Sequence, residues 1–133
     1  MLRTGVDLIE VARVQRTLAR HGTRFLRKVF TAREQLYCGN RPERLAARLA
    51  AKEAVSKALG TGIGAVQWVD IEIDADSVGR PLLILHGAAD RLSASLGLAT
   101  WDISLSHTAT HAIAVVVALP ALTGTLPLGV VHG

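Results

Sequence analysis

Aromatic residues are scarce: two Phe, two Trp and one Tyr among 133 residues. A surface that binds single-stranded nucleic acid by stacking bases on rings has little to build with here. There is one cysteine, Cys38, so no internal disulfide can form; this fits a reducing, cytoplasmic setting. No cysteine–histidine cluster has the spacing of a zinc site. Long apolar runs are missing too. Thr108 to Val131 carries no charge if histidine is neutral, but Pro120, Gly124, Pro127 and Gly129 interrupt it. Its unbroken part, Ala112 to Leu119, has the length of a buried strand and falls far short of the ~20 residues of a membrane-spanning helix. A secretory signal is not expected, because Arg3, Asp7 and Glu10 fall where its apolar core would lie.

Half of the residues are hydrophobic, which excludes a disordered chain, and the length fits one domain around one core. Charge is unevenly placed. Residues 1–60 hold thirteen Lys/Arg against five Asp/Glu, and residues 61–133 hold two against six. A basic first half suits an acidic or phosphorylated partner, although solvated helix faces produce the same imbalance.

The predicted elements alternate in type. Leu2 to Ile9 reads as a strand and Val11 to Arg20 as a helix, with Arg13, Arg16 and Arg20 on one face. Thr31 and Glu34 have capping-box spacing and predict a short helix to about Tyr37. Pro42 suits a first helical position, and the Ala- and Leu-rich run to Leu59 predicts a long helix ended by Gly60 in a left-handed cap. Gly60 to Gly64 reads as a loop. Trp68 to Asp74 alternates as a half-buried strand, Gly79-Arg80-Pro81 as a turn, and Leu82 to Leu85 as a strand. Ala88 to Leu96 predicts a helix; Trp101 to Ser106 and Ala112 to Leu119 predict strands. Helices bunched between strands argue an α+β fold with a largely antiparallel sheet and a long helix packed on it, as one domain over residues 1–119 with an irregular tail over 120–133.

The long helix carries the first chemical signal. Leu45, Leu49, Glu53 and Lys57 form one row that begins apolar and ends in a carboxylate and an ammonium. Charges at the edge of a core are costly unless paired or bound to a metal. By itself the row is as consistent with a structural Glu53–Lys57 pair as with a site. The glycines at 60, 62 and 64 then allow tight turns and close approach of a ligand, and such a backbone nest can hold phosphate oxygens. No strand followed by GK[ST] is present, so this is not a P-loop. Asp7 lies in an otherwise apolar strand. It reads either as a sheet-edge or helix-capping acid, or with Glu53 as one of two carboxylates that bind magnesium beside substrate phosphates. Glu10 is a third acid. Ser106 and His107 close a strand, where sites gather. Adjacent strand residues point to opposite faces, which disfavours direct activation of Ser106 by His107.

These blocks resemble the holo-acyl-carrier-protein synthases, the small phosphopantetheinyl transferases of bacterial fatty-acid synthesis. The resemblance runs from Gly5 to about Val117. It rests on Gly5-Val6-Asp7-Leu8-Ile9-Glu10 with Arg13; Phe30-Thr31 with Glu34; the specific central run Arg48-Leu49-Ala50-Ala51-Lys52-Glu53-Ala54-Val55-Ser56-Lys57-Ala58-Leu59-Gly60-Thr61-Gly62; Trp68 and the strand to Ile73; Gly79-Arg80-Pro81; and Ser104-Leu105-Ser106-His107.

The resemblance implies a phosphopantetheinyl transferase fold. It implies transfer of 4′-phosphopantetheine from coenzyme A to a serine of apo-acyl-carrier protein, with Mg²⁺ as cofactor and adenosine 3′,5′-bisphosphate released. It further implies Asp7 and Glu53 as metal ligands and Glu53 and Lys57 as the catalytic pair. Arg48, Lys57, Gly60, Thr61, Gly62, Ser106 and His107 fall to coenzyme A, with Arg48 a candidate for its 3′-phosphate. Arg13 falls to the carrier protein, and spacing adds Arg16 and Arg20 to that face. A cytoplasmic homotrimer with sites between subunits is implied, with neither nucleic acid nor membrane as partner. The stretch Arg3-Thr4-Gly5 departs from the longer glycine-isoleucine run of many members, and residues 120–133 match no family element. Two rivals from other classes are a basic nucleic-acid-binding domain, supported by the charge of the first half, and a catalytically dead trimeric assembly module, against which the intact Asp7, Glu53 and Lys57 argue.

Overall fold

Arg3–Glu10 forms the first strand, β1, and Val11–His21 the first helix, α1, which starts directly at the strand's end. Three more helices follow: α2 (Thr23–Val29), α3 (Ala32–Cys38) and α4 (Pro42–Leu59). A 3₁₀ turn at Trp68–Asp70 leads into β2 (Ile71–Ala75), then β3 (Pro81–Leu85), α5 (Gly87–Ser95), β4 (Leu98–His107) and β5 (His111–Pro120). The structure is a computed structural model and describes residues 1–121. The strands make two antiparallel sheets, one of three strands in the order β1-β5-β4 and one formed by β2 and β3. The α+β expectation holds.

Local chemistry explains where α3 and α4 begin and end. Thr31 caps α3 by accepting from the Glu34 N–H while the Glu34 side chain accepts from the Thr31 N–H, the full capping box. Pro42 opens α4, and Gly60 closes it at φ 79° in the left-handed region.

Two elements differ from expectation. Helix α2 was not predicted; its seven residues are three-sevenths basic and too few to display a helical period. Trp68–Asp70 is a 3₁₀ turn, not the start of the strand, held by the Asp70 carboxylate accepting from the Gln67 N–H. β5 runs one residue past the expected domain boundary, to Pro120; of the irregular tail expected over 120–133, residues 122–133 lie outside the described residues.

Helix α4 lies across β1 and β5. Its buried residues are mostly small, with alanines at 46, 50, 51, 54 and 58 beside Leu45, Val55 and Leu59. Small side chains let the helix axis come close to the sheet. The approach is closest at Gly5, where an added Cβ would stand 1.9 Å from the Ala54 carbonyl oxygen. No side chain fits there. In the sheet's facing strand, Ala112, Ala114, Val116 and Ala118 of β5 are fully buried beneath the same helix.

Gly5→Ala is therefore expected to push β1 off α4 and lower stability by about 1–3 kcal/mol or more, the cost of overpacking. Thr4→Ala, at the exposed neighbour, is expected to stay within about 0.5 kcal/mol. Urea denaturation of the two variants checks this.

Candidate active site

The row on α4 climbs out of the core as its spacing implies. Leu45 is fully buried, Leu49 and Glu53 are half-buried, and Lys57 is exposed. Because Gly5 brings β1 against Ala54, the next inward-facing residue of the strand, Asp7, meets this row. Lys57 Nζ donates to Asp7 Oδ1 at 3.0 Å and to the Val6 carbonyl at 2.9 Å. The ion pair is thus Asp7–Lys57 across two elements and not Glu53–Lys57 along the helix. Asp7 does not cap α1 either; Glu10 holds that position and its side chain makes no cap hydrogen bond.

Glu53 is left with no hydrogen bond or ion pair to its carboxylate among the described residues. Burial raises its pKa above the ordinary 4.5, the Asp7 charge raises it further, and Lys57 and Arg13 oppose both. Asp7 and Glu53 open onto one cavity of about 380 Å³, shared with Arg13 and with the apolar Phe25, Val29, Leu49 and Trp68. Two neighbouring carboxylates, one of them unpaired and made costlier to ionise by burial and by the other's charge, are a donor set that a hard divalent cation satisfies. Among the described residues no group of three or more His, Cys, Asp or Glu side chains could hold a metal. A cation at Asp7 and Glu53 would thus complete its oxygen shell from substrate and water, the usual arrangement for magnesium.

The arginines expected on one face are found on one groove. Arg13, Arg16 and Arg20 line it with Thr17 and His21. Arg13 lines both this groove and the carboxylate cavity, so the basic face adjoins the acid pair.

Other expected site residues lie apart from that cavity. Ser106 pairs with Ile113, which pairs with Leu8, on the outward face of the sheet; His107 pairs with Ala112 and, beyond it, Ile9, on the face toward α4. Both are exposed, and β5 separates them from β1 by two strand spacings, roughly 10 Å. Arg48 is buried, with its guanidinium 4.2 Å from the Tyr37 ring centre, a cation–π contact; its Nε has no partner among the described residues. The Gly60 loop begins past Lys57. Its glycines have the positive φ that the sequence suggests, but its amides are spent: Gly60 donates to the Lys57 carbonyl, and Thr61 and Gly62 to that of Ser56. They cap the helix and do not form the anticipated phosphate nest.

Sequence reading missed Lys52. It is fully buried, and its ammonium donates to Glu34 Oε1 at 2.7 Å and to the carbonyls of Trp68 and Ile71, using all three protons. Glu34 in turn accepts from the Thr31 and Ile73 amides. Thr31 Oγ donates to Glu72, whose other oxygen meets His86. Burial lowers the Lys52 pKa and the Glu34 charge works against that. The network ties α3, α4 and β2 together and anchors the backbone of Trp68, a wall of the carboxylate cavity. The available signal was Lys52 sitting seven residues from both Leu45 and Leu59, hence on their buried face. Cys38 is also buried; burial pushes its thiol up to about 11, which makes it a poor nucleophile.

Residues 3–116 match the family model of the 4′-phosphopantetheinyl transferase superfamily. The chain is 48% identical over 126 residues to a holo-[acyl-carrier-protein] synthase of Herpetosiphon aurantiacus, covering 90% of this chain and 99% of that one. It is 50% identical over 122 residues to the synthase of Moorella thermoacetica, with 90% and 93% covered. The crystal structure of the Helicobacter pylori synthase in complex with coenzyme A superposes with a TM-score of 0.80 at 32% identity, covering 87% of this chain and 99% of that one. The Bacillus anthracis synthase in complex with CoA (3′,5′-ADP) superposes with a TM-score of 0.73 at 34% identity, with 90% and 96% covered. The chain belongs to the holo-[acyl-carrier-protein] synthase family of phosphopantetheinyl transferases.

Lys52→Met is expected to cost about 3–5 kcal/mol, because it strands the buried Glu34 carboxylate. Adding Glu34→Gln is expected to return part of that loss. Chemical denaturation of the two single variants and the double variant, read as a double-mutant cycle, measures the coupling.

Proposed function

We propose that this chain transfers 4′-phosphopantetheine from coenzyme A to a serine of apo-acyl-carrier protein. The products are holo-acyl-carrier protein and adenosine 3′,5′-bisphosphate, and the setting is fatty-acid biosynthesis in the cytoplasm. The observation that carries this reading is the convergence of Asp7 and Glu53 on one cavity in a chain of this family. In the reaction the serine oxygen bonds to the diphosphate phosphorus nearer the pantetheine, the bond to the nucleotide's phosphate breaks, and the serine proton is lost. Asp7 and Glu53 would hold Mg²⁺, which supplies charge neutralisation at the phosphate oxygens.

The chain's own residues do the rest. Lys57 is exposed at the rim and anchored to Asp7, so it presents a cation to the diphosphate without a large rearrangement. The serine proton would pass to Glu53, which lines the cavity, rather than to Glu10, which does not. Arg13, Arg16 and Arg20 steer an acidic carrier protein, and Arg13 brings that docking face to the edge of the reacting site.

Self-association completes the reading. Val6, Leu8, Ile113, Val115 and Leu119 form an exposed apolar face on the three-stranded sheet, the side away from α4. Such a face suits burial against copies of the same chain. Ser106 belongs to this face and His107 to the same strand end, and both lie two strands from their own Asp7. In a homotrimer they would serve a neighbour's coenzyme A, with Arg48 assigned to the 3′-phosphate by the family pattern alone.

The test of activity is mass spectrometry of an apo-acyl-carrier protein after incubation with this chain, coenzyme A and Mg²⁺. A phosphopantetheine adduct on the serine is expected, and its absence across several carrier proteins would sink the reading. Glu53→Gln is expected to abolish the adduct while leaving the protein as stable as before at pH 7, or more so. The sign follows from the raised pKa: the folded state binds the Glu53 proton more tightly than the unfolded chain does. The resulting stabilisation is full below the ordinary 4.5 and is lost as pH rises through the raised value, so at neutral pH the ionised group is a cost that Gln removes. Thermal melting beside the mass measurement separates this from a structural role, which predicts a lower melting point and retained turnover.

For assembly, sedimentation of the full chain is expected to report a trimer, and Leu8→Glu with Val115→Glu to report monomers with little activity. A fully active wild-type monomer would overturn the shared-site arrangement.

A further inference from the structure

The carboxyl end of α4 is a poor place for an anion. A helix ends there in partial negative charge from its unpaired carbonyls. The loop that follows offers no relief, since the amides of Gly60, Thr61 and Gly62 all point back to Ser56 and Lys57. Lys57 turns away as well, toward Val6 and Asp7. Among the described residues the remaining cation at this end is Arg3, in the stretch of β1 that departs from the family resemblance.

Arg3 lies on the same face of β1 as Gly5 and Asp7 and reaches over the end of α4. Its Nη1 donates to the Ala58 carbonyl at 3.3 Å. The same nitrogen lies 3.2 Å from where a Cβ on Gly60 would stand, so a glycine at this position leaves the guanidinium its room. Nε is buried without a partner, and Nη2 makes no hydrogen bond among the described residues. A guanidinium carries five N–H donors in a planar fork; one is used here, at the long end of the hydrogen-bond range. A helix brace alone does not account for a half-buried cation with most of its donors unspent, because desolvated donors without partners are costly.

We propose that Arg3 is a phosphate-binding residue of this site, the cation that offsets the partial negative charge at the carboxyl end of α4. The inference rests on the transferase reading and deepens it. The order along the α4–β1 seam is Glu53 with Asp7, then Lys57, then Arg3 beside Gly60. This sets two cations in line beyond the acid pair, matching a ligand with a diphosphate and a further phosphate on its nucleotide. A planar fork takes phosphate oxygens in pairs, which an ammonium does not.

Isothermal titration of the full chain with coenzyme A and with adenosine 3′,5′-bisphosphate, in the absence of carrier protein, tests this. Arg3→Met is expected to weaken both ligands by roughly tenfold or more, the scale of a charged hydrogen bond lost. Arg3→Gln removes the charge and shortens the side chain, so it is expected to bind as weakly as Arg3→Met, with urea denaturation of both variants beside wild type checking that the fold is kept. Arg3→Lys is expected to recover part of the affinity. If Arg3→Gln binds both ligands as tightly as wild type, Arg3 is only a brace on the helix and the proposal falls. If wild type binds neither ligand, the transferase reading fails first and takes the proposal with it.

Discussion

The closeness of α4 to β1 is the constraint from which the rest of the arrangement follows. A helix resting on a sheet through ordinary side chains sits about 10 Å away, the range of packed layers. Here an alanine face on the helix meets Gly5 on the strand, and the backbones come into direct contact at Ala54. That contact sets the register between the two elements. One step along the strand's inner face in one direction brings Asp7 to Glu53 and Lys57; one step in the other brings Arg3 to Ala58 and Gly60. The acid pair and both cations are consequences of one close approach.

The same helix anchors the other side of the molecule. Lys52 and Lys57 are five residues apart and meet opposite fates. Lys52 points into the core, where a carboxylate and two carbonyls consume its three protons. Lys57 points along the β1 edge with its ammonium in reach of solvent. The buried network holds α3 and β2 and fixes the backbone of Trp68. The exposed end carries the Asp7–Lys57 pair and opens onto the cavity of Asp7 and Glu53. Glu53, between them in sequence, is the group that neither lysine satisfies. In the proposed reading, the unpaired carboxylate beside Asp7 and the basic groove shared through Arg13 would form one half of a site. In that reading the other half, Ser106 and His107, would come from a second copy docked on the apolar outer face of the sheet.

Much of the fold was legible because the signals were local. The Thr31–Glu34 capping box, Pro42 at the head of α4 and Gly60 at its end each specify a backbone conformation within a few residues, and all three are found. Alternating periods located β4 and β5 to within a few residues. Helix α2 was not legible, since Thr23–Val29 is too short for a period to appear and is held by packing on α1 and the 3₁₀ turn. The turn at Trp68–Asp70 was hidden by an alternation that continues unbroken into β2.

The sequence by itself determined the family pattern, the helix that carries Glu53 and Lys57, and the arginine face of α1, because each depends on residues a turn or two apart. Only the tertiary structure decided the partners. Lys57 pairs with Asp7 rather than Glu53, since a cross-element contact of fixed geometry wins over a weak i, i+4 pair. Lys52 is structural although it adjoins the site acid, because a helix turns 100° per residue and sends neighbours to different environments. The glycine loop spends its amides on the helix end, and Arg3, to which no local pattern gave a role, reaches across to the Ala58 carbonyl there. Charges separated by fifty residues find each other through packing, which no local pattern encodes.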